Sequence, residues 1–181
     1  MSSTIPVHGE NITEVTYDRL RSTAVNLNIF DKFYDEGLVY DDGHIKGCMG
    51  YDEQGIEVCN VIRKAMLEED SEEFMLFDHV EKNEFLFRLF QIFFLGGKLN
   101  QYESNFNAYK DFIRPLYKNF VNVKKDASTN HVFVDSVCYS VSKIGGNKLF
   151  ADDHIQNVCY VLINKGTRSA WVIHNKWSKH W

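Results

Sequence analysis

Residues 84–120 read EFLFRLFQIFFLGGKLNQYESNFNAYKDFIRPLYKNF, the most aromatic and most apolar part of the chain. From Glu84 to Leu95 the apolar residues Phe85, Leu86, Phe87, Leu89, Phe90, Ile92, Phe93, Phe94 and Leu95 cover every face of a helix. A helix of that kind belongs inside a core. Gly96 and Gly97 end it, because glycine accepts the left-handed conformation that stops a helix. From about Gln101, Tyr102, Phe106, Tyr109, Phe112, Ile113, Leu116, Tyr117 and Phe120 recur at spacings of three and four, one helical face. The two halves form a helical hairpin around which the rest packs. Pro115 lacks an amide hydrogen and clashes one turn back, so a kink or a stop at Arg114 is expected.

Upstream, residues 1–26 fit neither period and read as an N-terminal extension, a loop with one short element. Ile29, Phe30, Phe33 and Tyr34 share a helical face that Gly37 closes. The glycine-rich, charged stretch YDDGHIKGCMGYDEQG, residues 40–55, reads as a loop. A second helix is expected over Asp52–Glu69, with Ile56, Cys59, Ile62, Met66 and Leu67 as its stripe. Asp70 or Ser71 can cap the next helix, and Glu73 stands three residues after Asp70, as in a capping box.

After Phe120 the period falls to two. Residues 131–141 are strand-like, Gly145-Gly146 opens a loop to about Asp153, and 158–163 and 168–175 flank a short turn. Short turns mean antiparallel pairing. The fold class is α+β, a central helical hairpin with preceding helices packed on a C-terminal antiparallel β-meander. Residues 27–181 read as one domain, mainly helical to 120 and strands from 121.

Composition narrows function by exclusion. The chain has 181 residues, 44% hydrophobic, with fourteen Phe and nine Tyr; its net charge of -5 gives no global attraction to nucleic acid. Cys48, Cys59, Cys138 and Cys159 have neither zinc-knuckle nor redox-pair spacing, and the N-terminus has no secretory pattern, so free thiols in an intracellular protein are expected. No uninterrupted apolar run, Ile92–Leu95 included, approaches the ~18 residues of a membrane helix. None of the seven histidines forms a metal-binding spacing; Asp152-Asp153-His154 is the one compact polar triplet. No nucleophile elbow or phosphate loop is present.

Two surfaces stand out as partner sites. From Glu68 to Glu84 there are eight acids and one base, Lys82. Glu68, Glu69, Asp70, Glu72 and Glu73 are either a solvated face rich in helix caps or a dock for a basic partner. From Lys165 to Trp181 there is no acid, and all three tryptophans, Trp171, Trp177 and Trp181, alternate with cations. That tail can anchor a protein partner or stack bases, or Trp171 plugs the core and the rest frays.

Residues Phe33–Cys48, FYDEGLVYDDGHIKGC, resemble a segment of the cilia- and flagella-associated protein 300 family: an aromatic helix, YDE, then a DxGHI turn. Met66–Phe74, MLEEDSEEF, Asn83–Phe90, NEFLFRLF, and Leu95–Glu103, LGGKLNQYE, are similar to its central patterns LxEDSE, EFLFxLF and LGGxLxQYE. The resemblance spans roughly residues 27–141 and weakens through the C-terminal strands. Longer members are expected to carry a further N-terminal region, and the tryptophan-rich end lies outside the pattern. The resemblance implies a non-catalytic adaptor with no cofactor, acting in assembly or transport of outer and inner axonemal dynein arms. It implies dynein arm preassembly factors, axonemal dynein subunits and intraflagellar transport machinery as partners, and the cytoplasm and axoneme as location; neither nucleic acid nor membrane is expected. A competing parallel sets Gly96–Glu103 beside the glycine-leucine approach to the HxD metal pair of iron- and oxoglutarate-dependent dioxygenases. Gln101 would replace the histidine, leaving a pseudoenzyme.

Overall fold

The computed structural model describes residues 5–7, 10–12, 14–51, 57–96 and 103–177. In chain order the elements are β1 (Ile5–Val7), β2 (Glu10–Ile12), β3 (Val15–Leu20), α1 (Lys32–Asp35), β4 (Gly47–Tyr51), β5 (Glu57–Asn60), α2 (Val61–Leu67), α3 (His79–Lys82), α4 (Phe85–Leu95), α5 (Phe106–Phe120), β6 (Val123–Lys125), β7 (Val132–Val134), β8 (Ser136–Ile144), β9 (Asn147–Lys148), β10 (Val158–Asn164) and β11 (Ser169–Asn175). The largest sheet runs β11-β10-β8-β3, with β9 pairing the end of β8, and every pairing is antiparallel. The architecture is α+β with a C-terminal meander, as the periodicity predicts.

Helix α4 is the core element. Phe85, Leu86, Phe87, Leu89, Phe90, Phe94 and Leu95 are buried, and removing each such side chain from water is worth roughly 1.5–3 kcal/mol. Its rings meet those of α5: Phe90 lies edge-on 5.8 Å from Phe106, Phe93 edge-on 5.2 Å from Phe112, and Phe94 tilted 4.5 Å from Tyr109. Phe30 and Phe33, around α1, close the other side at 4.5 and 6.3 Å from Phe90. The sheet covers a third side, where Tyr160 stands 6.2 Å from Phe85. Gly96 ends α4 with a φ of 60° and a ψ of -166°, a positive-φ conformation that glycine adopts without strain, though not the αL cap.

Four expectations need correction. Helix α5 runs through Pro115 without stopping. Pro115 and Asp111 are exposed, so the carbonyl deprived of its donor faces water, while buried Ile113 and Tyr117, on one face, anchor the helix before and after the proline. The expected helix over Asp52–Glu69 shrinks to α2, residues 52–56 of it lying outside the described residues. Its N-terminal part is instead β5, because the Asn60 side chain accepts from Arg63 N at 2.9 Å and starts the helix there. The glycine-rich stretch read as a loop supplies β4, which pairs with β5. The segment read as an N-terminal extension contains β3, which forms six residues of register with β8. Just beyond it, Phe85 N donates to Arg21 O at 2.7 Å and Arg21 N to Asn83 O at 3.0 Å, clipping that strand to the start of α4.

The capping prediction is met only in part: Ser71 Oγ accepts from Phe74 N at 3.0 Å, but the N-cap of the 3-10 turn Phe74–Leu76 is Glu73, which makes no side-chain capping bond. The reciprocal box forms at Asp78 and Glu81, before α3, rather than at Asp70 and Glu73.

Candidate partner-binding surfaces

Four of the eight acids from Glu68 to Glu84 are committed to the fold. Glu84 is buried; it accepts from Thr23 N at 2.6 Å and Ala24 N at 3.0 Å and pairs with Arg21 at 3.3 Å. Glu81 pairs with Lys32 at 2.6 Å, and Asp78 caps α3. Glu73 pairs with Lys64 at 2.9 Å; the hydrogen bond from that ammonium lowers its carboxyl pKa and raises the lysine's. The other four face outward: Glu69, Asp70 and Glu72 are exposed and Glu68 is half-buried. They carry the segment's free negative charge, beside the exposed apolar side chains of Met75 and Val80.

Glu68, Glu69 and Asp70 also form one wall of a groove of about 1290 Å³. Asp18 on β3 and Ser140 on β8 also line it. Arg88 of α4 and Lys82 of α3 place cations inside it. Lys82 lies 3.0 Å from the centre of the Phe74 ring, and burial lowers its pKa. The groove therefore mixes both signs of charge with aromatic surface. Sequence reasoning missed it because its walls come from six separated segments; its only local trace is Lys82, the single base in the acidic run.

The tryptophans are separated by the structure. Trp171, on β11, packs edge-on against Phe120 at 5.6 Å and stays 44% exposed, so it does not plug the core. Trp177 is docked: its indole stacks on His154 at 4.0 Å and 8°, and its N donates to Asn157 Oδ1 at 2.7 Å. Trp181 lies outside the described residues. The same stack takes His154 out of the polar triplet. That histidine is buried, with Nδ1 accepting from Gln156 N at 3.2 Å, whereas Asp152 and Asp153 point outward.

Among the described residues, no His, Cys, Asp and Glu side chains gather in a group that could hold a metal ion. The parallel with the dioxygenase metal pair covers Gly96–Glu103, of which residues 97–102, Gln101 among them, lie outside the described residues. Burial pushes the Cys138 thiol up to about 12 and raises Cys159 and Cys48 as well, which disfavours the thiolate that nucleophilic chemistry uses. No helix among the described residues is long and apolar enough to cross a membrane.

The sequence model of the family described as cilia- and flagella-associated protein 300 matches residues 1–175. The chain belongs to the cilia- and flagella-associated protein 300 family. It is 37% identical over 170 residues to the cilia- and flagella-associated protein 300 of Paramecium tetraurelia, which covers 94% of this chain and 66% of that protein. To the protein of the same name from Chlamydomonas reinhardtii it is 30% identical over 179 residues, 96% of this chain and 70% of that protein. The chain thus spans about two thirds of the length of these relatives. Neither name carries an enzymatic activity. The family match is wider than the motifs alone indicate: it takes in β1 to β3 at one end and all of β11 at the other. No solved structure matches the chain.

Proposed function

We propose that this protein is a non-catalytic adaptor of cilia and flagella that acts in the assembly or transport of outer and inner axonemal dynein arms. The observation that carries this reading is membership of a family named for cilia and flagella, over residues 1–175. The surface supports it in kind: outward acids at Glu69, Asp70 and Glu72, a mixed-charge groove beside them, and a half-exposed tryptophan on a sheet edge are features that grip proteins. Dynein arm preassembly factors, axonemal dynein subunits and the intraflagellar transport machinery are the proposed partners, met in the cytoplasm and carried to the axoneme.

Disruption of the gene in a ciliated cell, with axonemes viewed in cross-section by electron microscopy, tests this directly. The expected result is loss of outer and inner arms, restored by the intact chain. Affinity capture of the tagged protein from the same cells should recover dynein chains or their assembly factors. Intact arms with a normal beat, and a capture free of both classes, would discard the proposal.

A further inference from the structure

The path β11-β10-β8-β3 of the main sheet ends in two strands that are built differently. Strand β3 carries Asp18 and Arg19 within its length and has a register shift between Thr16 and Tyr17. Charges and bulges are how sheet edges are kept from pairing with other chains. Strand β11 has none of these defences. Its sequence is Ser169-Ala-Trp-Val-Ile-His-Asn175, without a charge or a proline, and it pairs with β10 in unbroken register over all seven residues. Among the described residues no strand pairs with its other side, so every second residue there directs its N–H and C=O away from the sheet. The middle of this edge is apolar and open to solvent, Ala170, Trp171 and Val172 all being exposed, between polar Ser169 and the pair His174 and Asn175. Val172 is 65% exposed, Ile163 on the neighbouring strand shares its face, and Trp171 stands on the opposite face against Phe120.

The ends of the strand are cationic. Lys165 and Arg168 lie in the turn before β11 and Lys176 follows it; all three are exposed, and none is in an ion pair among the described residues. No acid occurs from Lys165 to Trp181. A second copy of the chain is therefore a poor occupant. Antiparallel self-pairing about Val172 sets Arg168 opposite Lys176 at both ends, and like charges directly opposed destabilise a sheet.

We propose that the free edge of β11 accepts an extended segment of a partner protein as an added strand, apolar in its middle and acidic at its ends. Backbone hydrogen bonds hold such a segment, its apolar side chains continue the Val172 and Ile163 face, and its terminal carboxylates meet Arg168 and Lys176. This rests on the edge alone and stands whether or not the partner belongs to a cilium.

The test uses the full chain and a fluorescent synthetic peptide, Asp-Glu-Thr-Val-Thr-Ile-Thr-Val-Glu-Asp, with binding read by anisotropy. Two control peptides accompany it, one with lysines in place of its four acids and one N-methylated at alternate residues. The acid-flanked peptide is expected to bind, the N-methylated one to fail, and the lysine-flanked one to bind at least about tenfold more weakly. The double variant Arg168→Glu, Lys176→Glu should reverse the preference between the charged peptides while melting at the same temperature as the parent. The inference is overturned by equal binding of both charged peptides, by undiminished binding of the N-methylated one, or by no binding up to about 1 mM. It is also overturned if sedimentation shows a dimer that the peptide dissociates, because the edge would then belong to a second copy.

Discussion

Arg63 is a guanidinium sealed in a phenylalanine core, 1% exposed. It donates to Phe94 O at 3.1 Å and to Leu95 O at 2.8 Å, and it lies 6.0 Å from the centre of the Phe94 ring. Those carbonyls belong to the last turn of α4, where no intrahelical donor remains and the helix dipole is negative. The residue thus replaces the solvent that a buried helix end cannot reach. Replacing Arg63 with methionine keeps much of the volume and removes both bonds, so a loss of about 2–4 kcal/mol is expected, read as a lower urea midpoint with an unchanged slope. An unshifted midpoint would mean that the two carbonyls find other donors. Glu84 teaches the same lesson from the opposite sign. In the sequence it is one of eight clustered acids; in the fold it is the buried acceptor for Thr23 and Ala24. Neither role is visible locally, because each partner is more than thirty residues away.

At the scale of elements, what was legible depended on how far a segment's partners lay. Helices α4 and α5 and the hairpin β10–β11 are set by their own periodicity and by turns only a few residues long, and all appear where the pattern puts them. Strand β3 does not, because its pattern is weak and its partner β8 lies more than a hundred residues on. Strand β5 was absorbed into a helical stripe because Cys59 and Ile62 have helical spacing, and the stop signal, Asn60, is a single polar residue between them. The edge site shares this limit: the uncharged run 169–175 is plain in the sequence, but only the strand order shows that it lies at an edge. Pro115 tests whether α5 tolerates its proline or needs it. The ring is exposed and its missing amide leaves the carbonyl one turn back without a donor. Pro115→Ala restores that bond, at some cost in unfolded-chain entropy, so a net gain of about 1–2 kcal/mol is expected. Thermal melting checks it, and a lower melting temperature for the alanine variant would show that the ring itself contributes packing.

At the scale of the whole molecule, the seam between the helical layer and the sheet has a pH signature. Tyr117 of α5, Cys138 of β8 and Tyr160 of β10 meet there around Phe85, 5.9 Å from Tyr117 and 6.2 Å from Tyr160. Burial holds all three in their neutral forms: the Cys138 thiol rises from 9.0 to about 12, the Tyr160 phenol from 10.0 to about 12, and Tyr117 is raised further. The Glu84 carboxylate, buried close by, adds to the shift of Tyr117 and Cys138, whereas Arg88 pulls that of Tyr160 down. The sign follows from which state holds its protons longer. Below pH 9 these groups are protonated in both folded and unfolded chains, and their contribution is intact. Above it the unfolded chain ionises first and the folded one cannot follow, so stability falls as pH rises through about 12. Urea midpoints across this range should therefore decline steeply. A Tyr160→Phe variant, which removes one titrating group and keeps the ring, should decline less steeply than the parent. Parallel slopes for the two proteins would show that the phenol of Tyr160 reaches water in the folded state, and that the two layers are less tightly sealed than their packing indicates.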